Sequence, residues 1–313
     1  MRRFQSILNV THPTLVGGGA LEQALTEARQ HEASLQALVI CPPLPRALES
    51  YRPEYEASLR ENLQAALSNA QRSLGIAASD VPVTVEVDCE DGHAVNIVRR
   101  VLRGPHDLLI KQAEPTDRRT GFRSLDMQLL RLCPVPVWLC RAPARARTDL
   151  QVAVAVNPQS REPEGWDLAV KLLQLSRSLA DTHSGKLQII SCWGFDMEGD
   201  LRHSPWLKMP EEYIRDAVAN VERQHREALE KLVRESGIVG TASVLLRRGR
   251  PEKVIPRLVD TQGIDLLVMG TIGRTGIQGL VMGNTTEDVV GEISCSLLAV
   301  KPNGFVSPVR AYE

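Results

Sequence analysis

Residues 265–276 read Asp265-Leu266-Leu267-Val268-Met269-Gly270-Thr271-Ile272-Gly273-Arg274-Thr275-Gly276. The apolar run in this stretch does not alternate with polar residues, which is typical of a parallel strand buried on both faces. The glycines directly after it allow the backbone to approach a ligand closely. Nine residues separate Gly273 from Gly283, and Asn284 then begins a predicted helix that runs toward Glu292. Because a helix start offers unpaired N–H groups and a partial positive charge, this strand, loop and helix are suited to an anion such as phosphate.

A purely structural interpretation of the same loop is also open. Asn284, Thr285 or Thr286 could cap the helix, with Glu287 as an acidic residue of the first turn, and capping needs no ligand. The pattern is not a Walker P-loop, since no lysine follows a GxxxxG. Neither half of the chain has a GxGxxG in its first strand-to-helix turn, which excludes the dinucleotide pattern.

The chain repeats itself outward from this stretch. Residues 106–110 resemble 264–268, and residues 133–139 resemble 295–300. The offset between the two halves is 158 residues for the first pair and 162 for the second. These offsets predict about four extra residues in the second half, within the glycine loop and its helix.

The first half departs from the glycine pattern. No glycine follows its strand at 106–110. The offset of 162 aligns Gly121 with Gly283 and Phe122 with Asn284. A phenyl ring at that position would obstruct a phosphate, so we predict that the first half binds none.

Strands and helices alternate in both halves, which predicts parallel sheets covered by helices. The seam at 141–147 contains a proline and charged residues, as a linker does. The sequence therefore predicts an α/β fold of two tandem doubly wound, mainly parallel five-stranded sheets with helices on both faces, in domains 1–142 and 148–305. The predicted strands are 6–10, 35–40, 81–87, 106–110 and 133–139, then 151–156, 187–190, 242–246, 264–269 and 295–300. The predicted helices are 20–32, 53–74 and 94–102, then 166–180, 211–235, 252–259 and 284–292.

Composition narrows the class of protein. The chain has 313 residues, 43% of them hydrophobic, and a formal net charge of −1. That balance is typical of a globular protein and gives no electrostatic reason to expect nucleic acid or an anionic membrane as a partner. We expect no signal peptide and no membrane span, and hence a cytoplasmic protein. None of the six cysteines forms a CxxC pair, so we predict small buried thiols in a reducing compartment rather than a disulfide scaffold.

The remaining polar residues predict neither a catalytic nor a metal site. The seven histidines have no zinc-like spacing, and no nucleophile or general base is evident. We expect His225 to be solvated on a charged helix and His203 to lie in a loop. The apolar patch at 205–210 is expected to pack against a helix of its own domain, with a lid or an interaction surface as the alternative, and Trp193 and Phe195 are expected in the core.

At this point the sequence resembles a known family. The strand at 265–269, the glycines at 270, 273 and 283, and the hydroxyl residue soon after them look like the universal stress protein signature, G-x2-G-x9-G followed by Ser or Thr. The resemblance extends over nearly the whole chain as two copies, most similar to the tandem E-type members. It implies a stress-response regulatory protein whose second domain weakly binds ATP or another adenine nucleotide, with Mg²⁺, or a related phosphate ligand.

The resemblance also implies roles for single residues. Gly270 and Gly273 would contact ribose and phosphates, whereas Gly283 with Asn284 and Thr285 would bind the terminal phosphates. Arg274 would add positive charge or lie in a solvated loop.

Two departures from the family pattern leave other functions open. Nucleotide-binding members usually carry an Asp at the end of the first strand, where this chain has Asn157. Asn284 stands where the pattern has Ser or Thr, and Thr285 follows one residue later. The alternatives are a scaffold or interaction protein that binds no nucleotide, a binder of a small apolar ligand, and a slow ATPase. The resemblance further implies that the two domains pair through their closing strands, and it leaves open whether two chains form a homodimer.

Overall fold

The structure, a computed structural model, describes residues 4–15, 19–114, 120–142, 149–160, 163–203, 206, 209–271 and 282–312. The predicted elements are confirmed with shifts of a few residues at their ends. The first half contains β1 (Ser6–Thr11), α1 (Gly19–His31), β2 (Ser34–Ile40), α2 (Arg52–Leu74), β3 (Val83–Asp88), α3 (His93–Arg103), β4 (Leu108–Gln112), α4 (Ser124–Leu132) and β5 (Val137–Cys140). The second half contains β6 (Gln151–Ala155), α5 (Pro163–Thr182), β7 (Lys186–Trp193), α6 (Glu198–His203), α7 (Glu211–Ser236), β8 (Ala242–Arg248), α8 (Pro251–Gln262), β9 (Leu266–Gly270), α9 (Asn284–Glu292) and β10 (Ser296–Val300).

The strands form one continuous sheet rather than two separate ones. Its order is β3-β2-β1-β4-β5-β10-β9-β6-β7-β8. All pairs within a half are parallel, and the halves join where β5 and β10 run antiparallel, with Leu139 opposite Leu297. The closing strands therefore pair within the chain, as the family resemblance implied.

Helices cover both faces of this sheet and form two cores. On one face α1, α2, α5 and α7 pack over side chains such as Ile7 and Val268. On the other face α3, α4, α8 and α9 pack over side chains such as Leu8 and Leu267. Because successive strand residues point to opposite faces, both must be apolar, which explains the unbroken apolar runs in the sequence.

The helix ends correct the alignment between the halves. The N-cap of α4 is Arg123 and that of α9 is Gly283, whereas their C-caps are Cys133 and Ile293. Both comparisons give an offset of 160, so the second half has two extra residues after β9 rather than four. The counterpart of Gly283 is therefore Arg123 and not Gly121. The cysteine landmarks misled the alignment because Cys133 caps a helix, whereas Cys295 comes two residues after the cap of α9.

Single-residue predictions on histidine and tryptophan had mixed outcomes. His225 is only 1% exposed, so its predicted solvation is wrong; it lies on the inner side of α7 with Nε2 2.9 Å from Ser191 Oγ. His203 ends the short helix α6 rather than lying in a loop. Trp193 is buried as expected, whereas Phe195 is half-buried. Trp206 is 93% exposed, and residues 205, 207 and 208 of the predicted apolar patch lie outside the described residues.

The cysteine prediction was wrong for one pair. Cys41 and Cys89 form a disulfide, whereas Cys133, Cys140, Cys192 and Cys295 are free thiols. Cys41 and Cys89 lie 48 residues apart in sequence, and the register of two parallel strands brings them together. Among the described residues, no helix has the length and apolar character needed to cross a membrane.

Candidate functional site

The second half brings its candidate residues to one edge of the sheet. Gly270 ends β9, and its neighbour Met269 is in register with Ala155 at the end of β6. Asn157 follows Ala155 by two residues, so it lies at the same edge of the sheet as Gly270. In open parallel sheets, ligands bind in the crevice beyond the carboxyl ends of the strands. Gly273 and Arg274, which were also candidates, lie outside the described residues.

In the described part of the chain, no side chain caps the start of helix α9. Its N-cap is Gly283, which has no side chain, and its first backbone bond runs from Glu287 N–H to Gly283 O at 3.0 Å. The N–H groups of Asn284, Thr285 and Thr286 precede this bond and have no acceptor within the helix. The capping interpretation of these three residues is therefore wrong, and the helix start keeps its partial positive charge toward the loop.

Two hydrogen bonds fix the helix start against the end of β9. The Gly283 N–H donates to Thr271 O at 3.1 Å, and the Thr286 hydroxyl donates to Gly270 O at 3.3 Å. Asn284 and Thr285 are exposed on the opening of the site. The hydroxyl of Thr271, a residue that is only 1% exposed, has no hydrogen-bond partner among the described residues. A buried hydroxyl without a partner is costly, so a ligand atom that bonds to it would gain affinity.

Gly270 has a packing reason of its own. A Cβ atom at this position would lie 2.8 Å from Leu168 Cδ2 on α5. Since Cβ contacts this short do not occur, Gly270 allows α5 to approach the strand end closely. This glycine therefore supports a close helix–strand contact whether or not a ligand binds.

Asn157 is held as a turn residue. Its Oδ1 accepts the N–H of Gln159 at 3.0 Å, which is an Asx turn. The side chain is exposed, and its Nδ2 group is a donor rather than an acceptor. Asn157 thus suits a ribose or phosphate oxygen better than Mg²⁺, which prefers a carboxylate.

The first half fills the equivalent space with its own side chains. Gln112 is the counterpart of Gly270, at the offset of 158 that relates β4 to β9. Its Oε1 accepts the Ala20 N–H at 3.2 Å, and its Nε2 donates to Cys140 O at 3.0 Å. A long side chain therefore lies where the second half has a glycine.

A buried ion pair completes this filling. Lys111 Nζ lies 2.7 Å from Asp126 Oδ1, and the two side chains are 3% and 0% exposed. Asp126 Oδ2 also accepts the Glu114 N–H at 3.1 Å. Asp126 is in the first turn of α4, at the position that Thr286 has in α9, so the first half carries a buried carboxylate close to this helix start. The sequence analysis missed this pair, although a lysine inside the apolar run of β4 was a signal.

Charged contacts also join the two halves close to the site. Arg131 of α4 pairs with Glu287 of α9 at 2.7 Å. On the opposite face, His183 Nε2 bonds to the fully buried Glu27 at 2.9 Å, and His31 lies 3.4 Å from the same carboxylate. Burial disfavours the charged carboxylate, but the hydrogen bonds from His183 and His31 hold the pKa of Glu27 below its ordinary value.

The family follows from comparison with known proteins. The model of the universal stress protein family matches residues 4–141 and 169–301. The chain belongs to the universal stress protein family.

Individual family members show how far the likeness extends. Universal stress protein E of Photorhabdus laumondii is 26% identical over 99% of each chain. Universal stress protein E of Escherichia coli K12 is 32% identical over 74% of this chain and 72% of its own length. A solved universal stress protein of Archaeoglobus fulgidus has the same fold, with a TM-score of 0.59, 15% identity and coverage of 94% of this chain and 98% of its own. In the described part of this universal stress protein, no cluster of three or more His, Cys, Asp or Glu could hold a metal ion.

Proposed function

We propose that this universal stress protein acts as a stress-response regulator whose second domain binds an adenine nucleotide, ATP or a relative, with its phosphates at the start of α9. The observation that carries the proposal is the helix start at Gly283, which lies beside the hydroxyl of Thr271; within the described part of the chain, no side chain caps the helix and none bonds to that hydroxyl. Asn157 contributes a donor from the neighbouring strand end. Glycines 270, 273 and 283 and the residues Arg274, Asn284 and Thr285 make up the rest of the proposed site.

The contrast with the first half supports this assignment. There, Gln112 fills the crevice and Asp126 provides a carboxylate at the helix start. A nucleotide phosphate would have to displace a buried carboxylate and leave Lys111 without its partner. We therefore assign one nucleotide site to the chain, in its second half.

Thermal unfolding with and without millimolar Mg-ATP tests the proposal. A ligand that binds only the folded state stabilises it by RT ln(1 + [L]/Kd), which is about 1.4 kcal/mol at ten times Kd. For a domain of this size we expect the melting temperature to rise by about 3–5 °C. No rise at several millimolar nucleotide, together with no nucleotide in native mass spectra, would reject the proposed function.

The substitution Gly283→Asp tests whether the ligand binds at the start of α9. Gly283 has φ −61° and ψ 143°, a conformation that any residue adopts, so the substitution causes no backbone strain. The new carboxylate should cap α9, and because glycine is already a tolerated N-cap residue it should raise the stability of the free protein by only about a few tenths of a kcal/mol. It should also repel phosphate and abolish the nucleotide-induced shift. Arg123→Asp at the counterpart position of α4 is the matched control and should leave that shift unchanged.

An interaction protein that binds no nucleotide is the second candidate. The packing of Gly270 against Leu168 favours it, because that contact explains one glycine of the signature without a ligand. A nucleotide-independent melting temperature in both the native chain and Gly283→Asp would support this candidate.

A further inference from the structure

Two cysteines of the first half lie face to face at the outer edge of the sheet. Cys41 directly follows β2 and Cys89 directly follows β3, and the registered pair before them is Ile40 with Asp88. Their Cα atoms lie 4.5 Å apart, and the sulfur atoms are bonded. The Cys41 N–H donates to Asp88 O at 2.9 Å, so strand pairing holds the two residues in place.

In the second half, a different contact joins the equivalent strand ends. Its outermost pair, β7 and β8, ends with Trp193 opposite Arg248, which is the counterpart of Cys41 opposite Cys89. The guanidinium carbon of Arg248 lies 5.5 Å from the centroid of the Trp193 ring, a cation–π contact. The edge at β8 is thus held by a cation–π contact, which does not depend on oxidants. The edge at β3 is held by a disulfide, which an oxidant forms from two thiols.

The four free thiols lie where burial disfavours their ionised form. Burial raises the pKa of Cys133 and Cys295 to about 12 and that of Cys192 to about 11, and it raises the pKa of Cys140 further. The reactive form of cysteine is the thiolate, so these four groups are poor competitors for an oxidant.

The two sulfur atoms of the pair also differ in access. Cys89 lines an open cavity of about 1050 Å³, together with the side chains of Arg52 and Arg99. Cys89 is 5% exposed and Cys41 0%, so Cys89 is the more accessible residue of the pair. A small oxidant that enters the cavity therefore meets Cys89 first.

We propose that Cys41 and Cys89 are a reversible redox pair that responds to hydroperoxides and fastens β3 to β2 when oxidised. The Cys89 thiolate attacks the O–O bond of the peroxide and becomes a sulfenic acid, and the other oxygen leaves as an alcohol or as water. The Cys41 thiol then attacks the Cys89 sulfur, the S–S bond forms, and the sulfenic oxygen leaves as water. Two thiols lose two electrons and two protons, which the peroxide takes up, and a small dithiol reductant reverses the step while it becomes a cyclic disulfide.

Hydrogen exchange on the full chain tests the structural consequence. In the dithiothreitol-reduced protein, we expect the amides of β3 to exchange at least about tenfold faster than after peroxide treatment, because the cross-link limits local opening. The amides of β8 are the internal control and should exchange at the same rate in both states. Equal exchange of β3 in both states would overturn the proposed fastening.

Trapping of sulfenic acid with dimedone tests the order of attack. Cys41→Ala should accumulate the dimedone adduct on Cys89, whereas Cys89→Ala should leave Cys41 almost unlabelled. Cys192→Ala is the matched control and should form the Cys41–Cys89 disulfide as the native chain does. Equal labelling of Cys41 and Cys89, or a native chain whose reduced thiols do not form this disulfide with peroxide, would overturn the proposal. The second readout uses the native chain, so it stands even if an alanine variant fails to fold.

Discussion

The buried pair Lys111–Asp126 allows a quantitative test of how the first half fills its crevice. The side chains are 3% and 0% exposed and 2.7 Å apart, so removal of either one leaves a charge in a site that water does not reach. Such a removal typically costs about 3–5 kcal/mol of folding stability. We therefore expect Lys111→Met and Asp126→Thr each to lower the free energy of unfolding by about that amount.

The double variant should recover most of the loss. Met and Thr are the residues of the second half at these positions, namely Met269 and Thr286. Lys111 Nζ also donates to Gln112 O at 3.0 Å, and its removal frees that carbonyl for the threonine introduced at position 126. The remaining cost is the Glu114 N–H, which loses its acceptor, at about 1 kcal/mol.

A double-mutant cycle in urea measures the coupling, which we expect to be about 3 kcal/mol or more. Coincident transitions by circular dichroism and tryptophan fluorescence would license the two-state treatment. Hydrogen exchange of β4 would show that the loss lies in the first half. Single variants that each cost under about 1 kcal/mol, or a double variant whose loss is the sum of both, would refute the reasoning.

Three further predictions concern other buried groups. Burial lowers the pKa of His225, so the unfolded chain binds more protons than the folded chain between that lowered pKa and 6.5. The stability of the protein should therefore fall as the pH drops below about 6.5. In urea titrations between about pH 7.5 and 5.5, the midpoint of His225→Gln should fall less than that of the native chain. An unchanged slope in that variant would show that His225 does not titrate on unfolding. His183→Ala removes a partner of the buried Glu27 across the two halves and should cost about 2–3 kcal/mol in chemical denaturation, whereas the exposed Arg226→Ala, which breaks a surface pair, should cost under about 1 kcal/mol. Gly270→Ala should cost about 1–2 kcal/mol by its clash with Leu168, and a cost that persists in the Leu168→Ala background would contradict that origin.

Sequence patterns predicted the elements of this fold because the apolar runs must satisfy two helix-covered faces at once. They also predicted the candidate site, which stays a prediction, since a strand followed by glycines and a helix is a local pattern. Sequence patterns did not predict the contacts between residues that are far apart in the chain. Asp126 meets Lys111, and Cys41 meets Cys89, only after strand register and helix placement are set.

The helix α7 shows a different kind of error. Its charged composition predicted a solvated His225, but His225, Leu229 and Leu232 follow each other at spacings of four and three residues. That spacing places all three on the buried face, where they are at most 2% exposed. The spacing of these residues thus indicated that His225 is buried, whereas the average composition of the helix indicated that it is solvated.

The antiparallel contact between β5 and β10 has a consequence for how such a protein can change over time. In a symmetric dimer of single-domain chains, both subunits carry the same sequence, so any substitution appears twice. Here the two partners of the interface are parts of one polypeptide, and each can vary alone. One half carries a buried internal carboxylate and a disulfide, whereas the other carries the glycines of the signature. Their association also does not depend on protein concentration, because the linker holds the partners together at any dilution.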